Sequence, residues 1–105
     1  LCAADLADYC ARAGVPAPSL AISNAARRWG SCSANGTIRI NWRLVMAPDT
    51  VRRSVVAHEV AHLRHMNHSA DFYAWLDALF EGDRNSADHW LKAHGRGLYL
   101  VGGGG

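Results

Sequence analysis

The segment His58-Glu59-Val60-Ala61-His62 constrains the fold of this chain more than any other feature, because its residue types act together only on a helix. Residues four apart lie on one face of an α-helix, one turn above the other. Two imidazoles placed in this way can hold one zinc ion, and the Glu between them projects toward the open side of the metal. The motif therefore indicates a helix that carries a zinc-dependent hydrolytic site, most simply that of a peptidase.

A catalytic zinc site needs a third protein ligand and an open position. His68 lies six residues beyond His62, the interval that places the third His in metzincins, where a Gly midway lets the chain turn back. Here the midway residue is His65, so we expect the turn at Asn67, because Asn tolerates left-handed backbone. His65 is the alternative ligand, but helical rise would place it about 10 Å from His58. The spacing favours His68 over His65.

Length and composition bound the class of protein. A chain of 105 residues, half of them apolar, fits one small domain. Its net charge is only +2 and its basic residues are scattered, so the support for a nucleic-acid partner is weak. Three cysteines without paired spacing argue against a disulfide framework and predict a cytoplasmic location. No membrane-spanning segment or signal peptide is visible, so no membrane partner is expected.

The ends of the chain carry two further expectations. The chain begins at Leu1 rather than Met, which predicts a fragment or a processed product. We expect one minimal catalytic domain over residues 1–101, followed by a disordered glycine tail over residues 102–105.

Periodicity and turn residues predict an α+β fold, in which a small antiparallel β-sheet or hairpin packs beside a helical layer. Asn35-Gly36 is a strong hairpin signal. Asp49 and Ser69 are the expected N-caps of the second and third helices, and Gly95 is the expected end of the last. The predicted elements are a helix over 3–13, strands over 20–26 and 37–42, and helices over 49–64, 69–80 and 86–94.

Several blocks then occur in an order that resembles a known family. They are Arg28-Trp29-Gly30-Ser31-Cys32-Ser33, Gly36, Ile38, Asn41, Leu44, Pro48, residues 55–63, Asn67-His68-Ser69, Phe72 and Trp90-Leu91-Lys92. Over residues 25–94 the chain closely resembles the YgjP-like metallopeptidases, which are related to the SprT-like and gluzincin-type zinc proteases. Members usually carry a longer, partly β N-terminal region, whereas only a short helix precedes the block here.

The resemblance implies a zincin-like core with one Zn²⁺ ion held by His58, His62 and His68, and with Glu59 as the catalytic base. It also implies a peptide or protein substrate that pairs with an edge strand, for which residues 30–33 or 37–41 are the candidates.

The sequence does not decide the roles of the other candidate site residues. The donor to the developing oxyanion is expected among Tyr73, His65, His89 and Arg28, with Tyr73 preferred. Trp29 could line a substrate cleft, although a buried core position is the more frequent case for Trp in a small domain. Arg28 could bind a substrate carboxylate or anchor a loop. Carboxylates that could orient the ligand imidazoles are Asp71, Asp77 and Asp88.

Two other functions compete with the peptidase. A metal-dependent hydrolase of a phosphoanhydride would need clustered basic residues at the site, and the candidates are Arg27, Arg28, Arg39, Arg52 and Arg53. A non-catalytic, zinc-stabilised domain that binds DNA or protein would use a fourth protein ligand in place of the open position.

Overall fold

The computed structural model describes residues 2–24 and 28–100. The predicted tail over 102–105 and the predicted domain end at residue 101 lie outside the described residues. The α+β class is confirmed, with four helices and a three-stranded sheet in the described parts of the chain.

The N-terminal helix α1 is Cys2–Ala13, and it ends at Gly14, whose φ of 71° suits a residue without a Cβ. Its inner face buries Leu6, Tyr9 and Cys10. Cys2 and Cys10 are both buried free thiols.

The sheet consists of β1 (Leu20–Ser23), β2 (Gly30–Cys32) and β3 (Ile38–Asn41), in the order β1-β3-β2. β2 and β3 form the predicted antiparallel hairpin, with Gly36 at a φ of 90° in the turn. β1 pairs with β3 in parallel, so the sheet is mixed rather than antiparallel throughout. The strand predicted over 20–26 ends at Ser23, and residues 25–26 lie outside the described chain.

The strand predicted to reach Trp42 stops at Asn41, because the Asn41 side chain accepts a hydrogen bond from the Arg43 amide and caps a 3₁₀-helix, Trp42–Met46. The next element, α2, is Asp49–His62 and contains the histidine motif. Pro48, not Asp49, is its N-cap, which corrects the prediction. Asp49 instead accepts a 2.8 Å hydrogen bond from Arg52, and its charge still complements the N-terminal end of the helix dipole.

α2 is the central element, because it packs against α1, the sheet, α3 and α4. Toward α1 it makes a buried ion pair, in which Arg52 Nε donates to Asp5 Oδ2 at 2.6 Å. Its next residue, Arg53, reaches Asp8 and also Glu81 in the loop after α3. These pairs fix the first turns of α2 against the N-terminal helix, while the histidines lie in its later turns.

Two further helices complete the fold: α3 (Ala70–Leu79) and α4 (Arg84–Leu100). Ser69 caps α3 as predicted, since its side chain accepts a hydrogen bond from the Phe72 amide at 3.2 Å. α4 continues through Gly95, where the sequence predicted its end. Among the described helices, none has both the length and the apolar character required to cross a lipid bilayer.

Candidate active site

Three imidazoles converge at the C-terminal end of α2. The Nε2 atom of His68 lies 3.3 Å from Nε2 of His58 and 3.1 Å from Nε2 of His62. Nitrogen ligands about 2.0–2.1 Å from a tetrahedral zinc ion are roughly 3.3 Å from one another. The donor atoms of the three residues all lie within 4.8 Å of one another, so their chemistry and spacing fit a single metal ion.

The segment after α2 brings His68 back to the helix without left-handed backbone. Within residues 2–24 and 28–100, only glycines have a positive φ, so the prediction of a left-handed turn at Asn67 is wrong. The chain instead unwinds through backbone bonds, with the His65 amide donating to the Ala61 carbonyl at 3.0 Å. A second backbone hydrogen bond lies just before α3, where the Ser69 amide donates to the Asn67 carbonyl at 2.8 Å.

His65 contributes its backbone rather than its ring to this cluster. Its carbonyl accepts a 3.0 Å hydrogen bond from Nδ1 of His62. That bond holds the His62 proton on Nδ1, so the lone pair of Nε2 points to the shared centre. The structure therefore groups His68 with His58 and His62, and it places His65 behind His62 as an orienting residue.

Phe72 forms the floor under the three imidazoles. It is fully buried, and its ring centroid lies 4.5 Å from that of His62 in a stacked geometry. The same ring makes edge contacts with His58 at 5.0 Å and with His68 at 5.1 Å. Because one aromatic ring touches all three, a change in its size would alter the spacing of the three nitrogen atoms.

The carboxylate of Glu59 is buried beside this cluster, and its residue is only 5 % exposed. Burial raises the pKa of Glu59 to about 7. Burial, followed by the positive charges of His62 and His68, lowers the pKa of His58 to about 4. His58 is thus neutral near pH 7, with a lone pair available for a metal, while Glu59 can exchange a proton in the same pH range.

Two cavities meet at His58, Glu59 and Gly30. The strand-side cavity lies between β2 and the imidazoles, and it is lined by Gly30, Ser31, Cys32, His58, Glu59, His62, Met66 and His68. The helix-side cavity has a volume of about 290 Å³ and reaches α3 and α4. It is lined by Trp29, Gly30, Ser54, Val55, His58, Glu59, Tyr73, Leu76, Arg84, Asn85, Asp88 and Leu91. The two cavities therefore adjoin each other at Glu59.

The remaining predicted residues divide between the cleft and the scaffold. Trp29 and Tyr73 line the helix-side cavity, and Tyr73 also stacks on His68 with a centroid distance of 6.1 Å. Arg28 is exposed, and its carbonyl accepts a 3.0 Å hydrogen bond from Asn41 Nδ2. Cys32 is half-buried in the strand-side cavity, where burial raises the pKa of its thiol. His89 and Asp71 are exposed.

Of the candidate orienting carboxylates, Asp77 and Asp88 have other partners. Asp77 accepts a 2.7 Å hydrogen bond from Arg84. Asp88 lies 3.2 Å from Lys92, although its charge also favours the protonated form of His58. The orienting contact that the structure shows for His62 is the His65 carbonyl. A backbone acceptor of this kind leaves no signal in the sequence.

Sequence reasoning missed the role of α4 in the cleft. Arg84, Asn85, Asp88 and Leu91 line the helix-side cavity together with Val55 of α2 and Leu76 of α3. The spacing of Arg84, Asp88 and Leu91 at three and four residues places them on one helix face, which was the available signal. What that face would meet depends on tertiary packing.

The basic residues on α2 do not favour a phosphate site. Arg52 pairs with Asp5 and Asp49, and Arg53 pairs with Asp5, Asp8 and Glu81. Their guanidinium groups are therefore engaged toward α1 rather than toward the imidazoles. Arg27, another of the five predicted candidates, lies outside the described residues.

Comparisons with known proteins agree with this geometry. The family model described as YgjP-like, metallopeptidase domain matches residues 2–94. A structural search finds the crystal structure of the metallopeptidase zymogen of Pyrococcus abyssi abylysin, with a TM-score of 0.76 and 20 % sequence identity. That likeness covers 89 % of this chain and 94 % of the other, and it shows a shared fold. The comparison with curated proteins found no match. The family match extends over most of the described chain and includes the imidazole cluster: this protein belongs to the YgjP-like metallopeptidase family.

Proposed function

We propose that this metallopeptidase is zinc-dependent, with His58, His62 and His68 as the metal ligands and Glu59 as the general base. The observation that carries the proposal is the convergence of three Nε2 atoms beside one buried carboxylate. Imidazole nitrogen atoms in a tetrahedral arrangement suit zinc, and three ligands leave the open position that catalysis requires.

Zinc, when bound, supplies Lewis-acid polarisation of the peptide carbonyl and activation of a water molecule. The protein supplies the proton transfers. Glu59 accepts the proton of the attacking water and passes it to the leaving amine. Its burial supports this role, because a carboxyl group with a pKa of about 7 can both take up and release a proton at neutral pH.

The substrate backbone would pair with β2. β3 lies between the other two strands, so its hydrogen-bonding edges are used by β1 and β2. β2 has one edge free of the described sheet, and all three of its residues line the strand-side cavity next to Glu59. An extended peptide added to that edge would pass directly over the imidazole cluster.

Tyr73 is the residue proposed to donate a hydrogen bond to the developing oxyanion. Its ring contacts the stacked His68 ring and also the Arg84 guanidinium, whose Cζ is 4.6 Å from the Tyr73 centroid. These two contacts hold a phenol at the wall of the helix-side cavity. A phenolic O–H in a preorganised position is a suitable donor to such a charge.

The test separates catalysis from metal binding. Glu59→Gln should keep one zinc ion per chain and lower kcat on a peptide substrate by about a hundredfold or more. His62→Ala should lose the metal and the activity together. His65→Ala is the matched control, since His65 acts through its backbone carbonyl, and it should keep both. Metal content is measured on the same purified samples as kcat.

Each residue assignment has an outcome that would contradict it. Turnover by Glu59→Gln at the rate of the unchanged protein would remove Glu59 as the base. Loss of metal from His65→Ala, together with retention of metal in a His68→Ala variant, would mean that His65 and not His68 is the third ligand.

A further inference from the structure

The ring of His68 is held in a different way from the other two grouped imidazoles. His58 and His62 both lie within α2, and the His65 carbonyl accepts a hydrogen bond from Nδ1 of His62. His68 is exposed and lies in the segment between α2 and α3, outside both helices. Besides the other two imidazoles, its ring contacts in the described parts of the chain are with aromatic side chains in the first turn of α3.

Two neighbouring residues of α3 supply these contacts. Phe72 is fully buried in the core, and its ring meets that of His68 edge-on with the centroids 5.1 Å apart. The Tyr73 ring is stacked on that of His68, at an interplanar angle of 28° and a centroid distance of 6.1 Å. An offset stack of this kind is a favourable aromatic arrangement. Unlike Phe72, Tyr73 is only half-buried and lines the helix-side cavity, so its own position needs a support.

Arg84 at the start of α4 provides that support. Its Cζ atom lies 4.6 Å from the Tyr73 centroid, within the range of a cation–π contact. Asp77, one turn after Tyr73 on α3, accepts hydrogen bonds from Arg84 Nε at 2.7 Å and from Arg84 Nη2 at 3.4 Å. Two bonds to one carboxylate fix the plane of a guanidinium group. A chain of contacts therefore runs from α4 through Tyr73 to the third proposed metal ligand.

The charge of Arg84 would act against metal binding, whereas its packing would favour it. A positive charge beside a site for a divalent cation repels the ion. Asp77 pairs with Arg84 at 2.7 Å, and the carboxylate of Asp88 lines the same cavity, so the charge of Arg84 is largely offset. We therefore expect the packing of Arg84 on the Tyr73 ring to decide its effect on the metal centre.

We propose that Arg84 is a positioning residue for the metal centre: held by Asp77, it keeps the Tyr73 ring against the imidazole of His68 and so keeps the third ligand in place. This inference rests on the proposed function, because it requires His68 to bind zinc. It gives the Tyr73 ring a role separate from that of its hydroxyl group. It also gives Asp77 an effect on a ligand that passes through Arg84 and Tyr73.

The first experiment measures the Kd for zinc by competition with a chromophoric chelator, so it needs no substrate. Arg84→Leu should raise Kd by about tenfold, since groups that orient metal ligands have effects of this size. Arg84→Lys keeps the charge but has no planar guanidinium to contact Asp77 and Tyr73 together, so it should raise Kd to a similar extent. Lys92→Leu removes an exposed cation from the same helix and should leave Kd within about twofold. Normal or tighter zinc binding by either Arg84 variant would overturn the proposal.

A double-mutant cycle shows whether Arg84 acts through the Tyr73 ring. In a Tyr73→Ala background, Arg84→Leu should change the zinc Kd by less than about twofold, because the ring that connects it with His68 is gone. Tyr73→Phe keeps the ring and should keep the zinc affinity of the unchanged protein, even where loss of the hydroxyl lowers kcat. Equal effects of Arg84→Leu in both backgrounds, or loss of zinc from Tyr73→Phe, would refute the positioning role.

A milder variant keeps the inference testable if substitution of Arg84 unfolds the protein, which circular dichroism of the metal-free samples would show. Asp77→Asn leaves Arg84 in place and removes only the charge that fixes the guanidinium, so the zinc Kd should rise by about threefold. An unchanged Kd in Asp77→Asn would contradict the chain of contacts from α4 to His68.

The same samples separate this inference from the proposed function. Absence of zinc from the unchanged protein, or retention of zinc by His68→Ala, would refute the proposed ligand set. One zinc ion per chain in the unchanged protein and none in His68→Ala, together with normal zinc affinity in the Arg84 variants, would refute the positioning role alone.

Discussion

At the scale of single residues, Gly30 determines where the Glu59 carboxylate can lie. A Cβ added at Gly30 would be 3.0 Å from Glu59 Oε2 and 3.0 Å from Val55 Cγ1. Contacts that short are repulsive, and Val55 is held in the core, so Glu59 would have to move. The glycine is therefore needed for close approach of β2 to α2, not for an unusual backbone angle.

Gly30→Ala should lower kcat by about tenfold or more and leave the zinc content at one ion per chain. The reason is that misplacement of a reacting group by even 1 Å has large effects on rate. The three atoms nearest to the added Cβ belong to Glu59 and Val55 and not to an imidazole, so the metal site should be kept. Metal analysis and kcat on one sample check both statements. Unchanged kcat would mean that Glu59 tolerates a shift or does not act on the substrate.

The grouping of the two proposed ligands on α2 was predictable from sequence because helical periodicity is local. His58 and His62 follow from a spacing of four on one face. The position of His68 depends on the irregular segment after α2, where helical periodicity does not predict which residues lie close together. The turn expected at Asn67 does not use left-handed backbone. The hydrogen bond from His62 to the His65 carbonyl is a product of that path, so sequence reasoning could not foresee it.

At the scale of elements, α4 shows how tertiary packing overrides a local signal. Gly is the usual residue just after a helix, so Gly95 predicted the end of α4. Gly95 instead lies inside the helix, where it is buried against Trp29. The glycine lowers the intrinsic helix propensity but permits the approach of α4 to the cleft. A similar limit applies to β1, whose parallel pairing with β3 depends on the path of the intervening chain.

Gly95→Ala and Gly97→Ala should have opposite effects, although both lie on α4. At Gly95 the new Cβ would meet Trp29 Cζ2 at 2.7 Å, so the free energy of unfolding should fall by about 1–3 kcal/mol. At Gly97 no heavy atom lies within 4 Å, and alanine should raise it by about 0.5–1 kcal/mol. Urea denaturation measures both. An increase in the free energy of unfolding of Gly95→Ala would show that the Trp29 ring can move away from the new Cβ without loss of packing.

The contact between α1, α2 and the loop after α3 should be sensitive to acid. Hydrogen bonds from Arg53, and then from Tyr9, help lower the pKa of Glu81 to about 2. A carboxyl group with a lowered pKa in the folded state stabilises the protein fully above its unfolded pKa, near 4.5, and loses this effect as the pH falls toward 2. The Glu81 side chain is 45 % exposed, which keeps the contribution at about 1 kcal/mol or less.

Glu81→Gln should therefore lower the free energy of unfolding at pH 7 and change it little at pH 2.5. The difference between variant and unchanged protein should shrink as the pH falls from 4.5 toward 2, because Glu81 is protonated first in the unfolded chain and, near its folded pKa of about 2, in the folded protein as well. It should also shrink in high salt, which screens partly exposed pairs. Urea denaturation at pH 7, 4.5 and 2.5 provides the curves. A difference independent of pH would mean that the ion pairs of Glu81 do not contribute.

At the scale of the whole molecule, the proposed metal centre would join two parts of the chain. Two of its proposed ligands belong to α2, and the third belongs to the segment that leads into α3. The Ser69 cap follows His68 directly, and Phe72 lies beneath all three rings. A metal bound to these side chains would cross-link α2 with the start of α3 in the folded state only.

Zinc should therefore raise the melting temperature, and the increase should depend on His68. A ligand at a hundred times its Kd stabilises the folded state by about 2.7 kcal/mol, and each kcal/mol corresponds to about 4–8 °C in a domain of this size. We expect a rise of about 10 °C or more on zinc addition, reversed by a chelator. His68→Ala should lose most of the rise, whereas Glu59→Gln should retain it, because its carboxylate is not among the grouped donors. Differential scanning calorimetry of metal-free and zinc-loaded samples decides the matter: an equal rise in His68→Ala would mean that the cross-link to α3 does not form.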